Sequence, residues 1–373
     1  MPHRADHILI CFHDFSRGGT ERIAIGLARH WAEQGRRVTI LCGTTEGGLR
    51  ATVDARVQVV ELDPPVRRSL TSRLKLGKAM AAEIARLKPD IIFLPGNFHL
   101  PLAPAFARIP GRVEEGWGAI MAKISNPSVP DGLAAAPVRW LLRRFGPCVD
   151  GWAAMNSGLE RELHAILPGA HVETLFDPVY LHHDLAPDDH LAPTDERLEI
   201  LWAGRFEPQK DTLLALKVIE ALNEIVPARL TMVGDGRLYP ATLRAIKRMG
   251  LTDIIAAPGY VPGIDPWLRR ADALLITSHF EGGPAVAVEA LAHGVPVVST
   301  DCSHFLRDIM RVPLAGRIVP SRYAPDLASA LLSTVSEGRR DPAALHALID
   351  HLDPRVCAQG YLAWFDRMAV ARR

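Results

Sequence analysis

Residues 280–301 read FEGGPAVAVEALAHGVPVVSTD, a turn, a helix and a strand in 22 residues. Gly282, Gly283 and Pro284 are unsuited to a helix interior, whereas residues 285–292 tolerate a helix throughout and Gly294 is placed to end it. A loop therefore precedes the helix. A helix N-terminus behind such a loop offers free backbone N–H groups and the positive end of a dipole, which suits a phosphate or a sugar hydroxyl. Two carboxylates mark the stretch: Glu281 ahead of the loop, and Glu289 among Ala285, Val286, Val288, Ala290 and Leu291. A charge set among apolar neighbours is costly unless something pairs with it.

At 373 residues, with 48% of them hydrophobic, the chain is expected to hold two domains with a core each. No run of about 18 uncharged apolar residues occurs, and the first strand begins at Ile8, so neither a spanning helix nor a signal peptide is expected. The five cysteines (Cys11, Cys42, Cys148, Cys302, Cys357) are scattered and fit no metal spacing. A cytoplasmic protein is expected, with peripheral attachment to the inner face of the cell membrane as a further expectation. The net charge of +1 hides an asymmetry: residues 1–170 carry 22 Lys+Arg against 16 Asp+Glu, the remainder 21 against 26. The basic half would suit an anionic surface or substrate, or is uneven surface charge without a role.

Short apolar strands at 8–12, 37–42, 57–62 and 90–94 alternate with helices at 23–35 and 74–87, followed by a strand at 151–155, a helix at 156–166 and a strand at 171–175. The alternation implies a parallel sheet wound in βαβ units, with the ligand crevice beyond the carboxyl ends of the strands. That rule picks out Gly18 and Gly19, in the loop before the first helix, and Asn97 to His99 as crevice residues. The glycine pair also reads as a tight turn, and His99 as an ordinary hydrogen-bonded loop histidine. Residues 139–145, RWLLRRF, form a short helix with arginines around an apolar face; Arg67, Arg68, Arg73, Lys75 and Lys78 make a second basic group. Both patterns fit contact with an anionic membrane surface, or a solvated face.

Residues 183–197, polar with two prolines, read as a linker between an N-terminal domain at 1–182 and a second at 198–354. A second βαβ series follows, with strands at 198–202, 229–233, 253–257, 273–277 and 296–300 and a helix at 213–225. Arg205 and Lys210 share the loop AGRFEPQKD (203–211) in front of that helix, where a fork and a point charge suit a diphosphate, or are two solvated cations. A last helix at 356–370, within a tail at 355–373, is expected to fold back over the first domain.

With GGTER (18–22), AGRFEPQKD as a G-R-x4-K match, VGDG (233–236) and the E-x7-E block of the opening stretch, the chain resembles the retaining GT-B glycosyltransferases of the bacterial group-1, family-four type. The resemblance implies an α/β fold of two doubly wound Rossmann-like domains facing a central cleft. It implies transfer of a sugar, with its anomeric configuration kept, from a UDP- or GDP-sugar to a hydroxyl of a lipid-linked or glycan acceptor in cell-surface polysaccharide, lipopolysaccharide or glycolipid assembly. Nucleic acid is not an expected partner.

Roles follow position by position. Arg205 and Lys210 would bind the diphosphate and neutralise the leaving group. Glu289 would accept from the ribose hydroxyls, and Glu281 with Gly282 and Gly283 would hold the donor sugar. Tyr260 would lie near the base. Gly18 and Gly19 would face the phosphates or acceptor, and Asn97 and His99 would stand on the acceptor side, with His99 a catalytic candidate. No D-x-D motif occurs in a suitable place, so no metal and no cofactor are expected. The chain departs from its relatives at TDCSHFLRDI (300–309), where a glycine is missing, and at Phe176-Asp177-Pro178-Val179, where an asparagine is missing. Other readings are an epimerase of the same fold, a nicotinamide-dependent dehydrogenase, which the absent G-x-G-x-x-G disfavours, and a non-catalytic sugar-nucleotide-binding protein.

Overall fold

A computed structural model of the chain describes residues 4–16, 18–69, 72–124, 135–179, 197–338 and 340–371. The chain divides into two compact units, Met1–Pro178 with His351–Arg373, and Val179–Asp350. Residues 183–196 of the expected linker lie outside the described residues.

The first unit holds β1 (His7–Phe12), β2 (Arg37–Cys42), β3 (Gln58–Glu61), β4 (Ile91–Leu94), β5 (Ala119–Ile124), β6 (Gly151–Ala154) and β7 (Val172–Thr174). They form one sheet in the order β3-β2-β1-β4-β5-β6-β7, parallel throughout. Every residue of β1, β4, β5 and β6 is buried, while the edge strands β3 and β7 are partly exposed. This is the pattern of a parallel sheet covered by helices on both faces. The second unit holds β8 (Leu198–Ala203), β9 (Ala228–Val233), β10 (Ile255–Gly259), β11 (Ala273–Ile276), β12 (Val297–Thr300) and β13 (Gly316–Val319). Their order is β10-β9-β8-β11-β12-β13, again parallel. In each sheet the strand order reverses once, between β1 and β4 and between β8 and β11. Ligands of such sheets bind beyond the carboxyl ends of the strands at that switch point.

Three elements differ from expectation. The first helix spans Gly19–Glu33, so Gly19 to Arg22, expected in the loop, make its first turn. Asn97 to His99 open a 3-10 helix, Asn97–Leu102, where a loop was expected. The edge strand expected at 253–257 runs over Ile255–Gly259, because residues 252–254 form a turn ahead of it. The helix Pro354–Val370 belongs to the first unit. Tyr361, Trp364 and Phe365 join its core, with Phe365 5.2 Å from Trp31 and 5.6 Å from Phe93 between ring centroids.

Candidate active site

In the second unit, the loop after β8 is pinned by its backbone. Gly204 N–H donates to the Val233 carbonyl (3.0 Å), Phe206 N–H to that of Asp235 (2.9 Å), and Leu238 N–H to that of Phe206 (2.8 Å). Phe206 is fully buried, edge-on to Trp202 and Tyr239 at 5.0 Å each. With the Gly204 backbone pinned and Phe206 turned inward, Arg205 is left exposed. Gly234 makes the arrangement feasible: its φ is +136°, and a Cβ there would stand 1.9 Å from the Gly204 carbonyl oxygen. The VGDG turn is thus the clamp on the loop that carries Arg205 and Lys210.

That loop ends in a 3-10 turn, Pro208–Lys210, and then Asp211 in the left-handed region (φ +46°, ψ 65°). The Asp211 carboxylate caps the helix Thr212–Asn223 by accepting from Leu214 N–H at 3.2 Å. Several contacts lace this loop to the stretch after β11. Gln209 Nε2 donates to the Phe280 carbonyl (2.7 Å), and His279 N–H donates to that of Gln209 (2.8 Å). The Thr277 hydroxyl lies 2.8 and 3.0 Å from the carbonyl oxygens of Lys210 and Asp211. Lys210 Nζ stands 2.6 Å from Glu281 Oε1, which also accepts from Ser278 Oγ at 2.6 Å. The Lys210 and Glu281 side chains are 17% and 9% exposed. An ion pair this enclosed is held in one geometry, unlike a pair of long surface side chains.

Beyond Glu281 the chain turns at Gly282 and Gly283 into the helix Ala285–Ala292, whose N-cap, Pro284, supplies no side-chain cap. Ala287 N–H is taken by the Pro284 carbonyl at 3.0 Å, which leaves those of Ala285 and Val286 to meet a ligand oxygen. The departure at 300–309 supports this turn directly. Thr300 Oγ1 donates to the Ser278 carbonyl (2.7 Å), Glu281 N–H to that of Cys302 (2.8 Å), and Ser303 Oγ to that of Gly282 (3.3 Å). Ser303 also caps the following helix, His304–Ile309. Glu289 is half-buried in its helix, and its carbonyl accepts from His293 Nδ1 at 2.8 Å. Tyr260, just past β10, is exposed.

In the first unit the switch point carries a denser polar cluster than the sequence reading named. His13 and Asp14 follow β1 directly and are buried. Arg68 grips the Asp14 carboxylate with Nε and Nη2 and lies 3.7 Å from buried Glu21. Burial raises the Asp14 carboxyl, but hydrogen bonds from Arg68 and Ser16 outweigh it and bring it down to about 2. His13 Nε2 lies 3.0 Å from Ser72 Oγ. His99 sits among these groups, its ring 6.5 Å from that of Phe12. Desolvation, reinforced by the Arg68 charge, brings its imidazole down to about 4. At neutral pH His99 is therefore uncharged, with its Nδ1 buried. Gly18 and Asn97 flank the cluster in sequence, at the start of the first helix and of the 3-10 helix. His13 and Asp14 were recoverable from the rule that named Asn97 and His99, since they too end a strand beside the switch point. Arg68 stood in the basic group but carried no motif.

Among the described residues no group of three or more His, Cys, Asp or Glu is placed to hold a metal ion, and no helix is long and apolar enough to cross a membrane. The helix expected at 139–145 spans Ala135–Phe145, buries Leu142 and exposes Trp140, Leu141, Arg139, Arg143 and Arg144.

Two parallel Rossmann-like units, each with polar groups at its switch point, define the GT-B class of glycosyltransferase fold. The structure of the lipopolysaccharide outer core galactosyltransferase WaaB in its apo form matches with a TM-score of 0.74 at 18% identity, over 98% of this chain and 99% of that one. Anabaena Alr3699/HepE in complex with UDP matches with a TM-score of 0.74 at 15% identity, over 96% and 99%. A family model described as glycosyl transferases group 1 matches residues 197–337, and one described as glycosyltransferase family 4 matches residues 17–175. The chain belongs to the group-1, family-four glycosyltransferases. Among curated relatives, the lipopolysaccharide 1,6-galactosyltransferase of Salmonella typhimurium is 24% identical over 210 residues, 52% of this chain and 55% of that protein. The match thus spans about half the length of that relative.

Proposed function

We propose that the chain transfers a sugar from a uridine diphosphate sugar to a hydroxyl of a cell-surface glycan or lipopolysaccharide acceptor, with retention at the anomeric carbon. The observation that carries this reading is the Lys210–Glu281 pair, 2.6 Å apart beside a helix N-terminus that has no side-chain cap. Lys210, Arg205 and the first N–H groups of that helix receive the diphosphate and stabilise the charge that develops as the glycosidic bond breaks. Glu289 takes the ribose hydroxyls, and Glu281 with the Gly282 and Gly283 backbone takes the sugar. Neutral His99 accepts or donates a hydrogen bond to donor or acceptor hydroxyls without adding charge. The UDP bound by the Anabaena neighbour favours uridine over guanosine, and the Salmonella relative favours a lipopolysaccharide acceptor.

Thermal unfolding with added nucleotide tests the donor. A ligand that binds only the folded state raises the midpoint, so UDP raises it and GDP at the same concentration does not. Glu289→Ala abolishes most of the UDP shift, since each lost hydrogen bond to a charged group contributes about 1.5–3 kcal/mol. An undiminished shift in that variant would refute the ribose assignment.

The charge of the diphosphate is met by side chains and a helix dipole, with no metal. Transfer run in EDTA, with the product's anomer read by proton NMR, checks this and the stereochemistry together: turnover persists and the donor's configuration is kept. Manganese-dependent recovery or an inverted product would refute the corresponding part.

The exposed Trp140 and Leu141, ringed by arginines, support a peripheral role on an anionic membrane face. Co-sedimentation with phosphatidylglycerol vesicles is expected, and Trp140→Glu reduces it about tenfold, one such contact being worth on the order of 1.5 kcal/mol. Equal binding to neutral phosphatidylcholine vesicles would argue against this role.

A further inference from the structure

We propose that Arg322 is a positioning residue for donor transfer, holding the backbone kink at Asp211 that aims Lys210 at Glu281 and the diphosphate. The proposal rests on the donor reading above. Arg322 lies in the loop after β13, at the sheet edge, and reaches past the end of β12. Its Nη1 donates to the Ser278 carbonyl at 2.8 Å, and its Nη2 to the Thr277 carbonyl at 2.9 Å and to Asp211 Oδ2 at 2.6 Å. One planar fork thereby joins the two segments that carry Lys210 and Glu281, a task for which five rigidly disposed N–H donors suit arginine better than lysine.

What it holds is a disfavoured conformation. Asp211 and Lys88 are the only non-glycine residues with positive φ among the described residues. An L-residue keeps such a conformation only where its surroundings over-determine it. At Asp211 they do so three times: Oδ1 caps the next helix, Oδ2 takes Arg322, and the Thr277 hydroxyl sits on the carbonyls of Lys210 and Asp211. His279 Nε2 also faces Oδ2, at 3.5 Å. The helix cap and the buried hydroxyl survive removal of Arg322. The link from Asp211 Oδ2 to the Thr277 and Ser278 carbonyls does not, and although Gln209 and Thr277 still join the two segments, the side chain that fixes the Asp211 kink is lost, so the loss falls on the aim of Lys210 more than on the fold.

The test reads Lys210 itself. Reductive methylation followed by mass spectrometry is slow at a mostly enclosed amine held by a carboxylate. In Arg322→Ala it accelerates about fivefold relative to exposed Lys217, as expected when a tether is cut and local opening becomes easier. Leu331→Ala, a core change in the same unit, destabilises the unit but leaves Lys210 at the parental rate. In the second arm, UDP affinity falls about tenfold in Arg322→Ala, with no further loss when Arg322→Ala is added to Lys210→Ala, because coupled residues are non-additive. A parental methylation rate in Arg322→Ala, or one matched by Leu331→Ala, overturns the proposal, and so do fully additive losses of UDP affinity. If the parent protein binds no UDP, the donor reading fails, and the methylation arm still decides whether Arg322 positions Lys210.

Discussion

Replacing Lys210 by alanine is expected to lower turnover by about 100- to 1000-fold, the range seen when one preorganised group facing developing charge is removed. The expectation stands on enclosure as much as on charge. Lys210 Nζ is fixed 2.6 Å from Glu281 Oε1 with little solvent around either side chain. Its position is therefore set before any ligand arrives, and no reorganisation is needed when the leaving group forms. Binding should suffer less than turnover, because in the proposed reading Arg205 and the helix N-terminus still contact the diphosphate. Steady-state kinetics resolve the two: kcat drops while the UDP dissociation constant rises by about tenfold or less, which corresponds to no more than roughly 1.4 kcal/mol of lost binding. The variant also strips Glu281 of its cation, while the Ser278 hydroxyl still donates to it. Denaturant titration of the variant measures that cost separately. A kcat within tenfold of the parent would show that Lys210 does not stabilise the transition state.

Gly234→Ala is expected to destabilise the second unit by roughly 3–5 kcal/mol, combining a strained backbone with an overpacked contact. A methyl group at that position meets the Gly204 carbonyl oxygen at 1.9 Å, and that oxygen belongs to the pinned loop, so no flexible side chain can swing away. Relief requires opening the backbone bonds that join residues 204–206 to 233–235, and Arg205 and Lys210 move with them. Urea unfolding, followed by fluorescence of Trp202 beside the clamp, gives the loss. Gly250→Ala is the comparison. Gly250 also has positive φ (+71°), but a Cβ there meets nothing within 4 Å, so only the backbone term of about 1 kcal/mol applies. Equal losses in the two variants would mean that the clamp contributes nothing beyond conformation.

Much of this architecture can be read from the chain before any coordinates. Apolar runs of four to six residues followed by helices imply parallel sheets, and the two sheets contain them. The opening stretch proves to be a loop, a helix over Ala285–Ala292 and β12. What escaped reading has identifiable causes. The first helix begins at Gly19 with Thr20, Glu21 and Arg22 in its first turn, polar residues that look like loop when the apolar period starts only at Ile23. β5, AIMAKI, is interrupted by Lys123 and follows a stretch without periodicity. The motifs located Lys210 and Glu281 separately. That one holds the other is a fact of tertiary structure across 71 positions, invisible to any local pattern. Arg322 is further out of reach: its partners lie 44 to 111 residues away, and two of the three are backbone carbonyls. The departure after β12 is equally silent in sequence about its contacts: Cys302 and Ser303 support the Glu281–Gly282 turn through a carbonyl and a hydroxyl.

The helix Pro354–Val370 has a consequence for how the molecule comes into being. Trp31 donates its indole N–H to the Ala358 carbonyl at 3.1 Å, and the rings of Trp31 and Phe93 close against Tyr361 and Phe365. A ribosome delivers Trp31 and Phe93 early, then all of residues 179–350, and only afterwards the aromatic wall that buries them. The half of the protein synthesised first is the half completed last, and until residue 365 has emerged its central tryptophan has an open side.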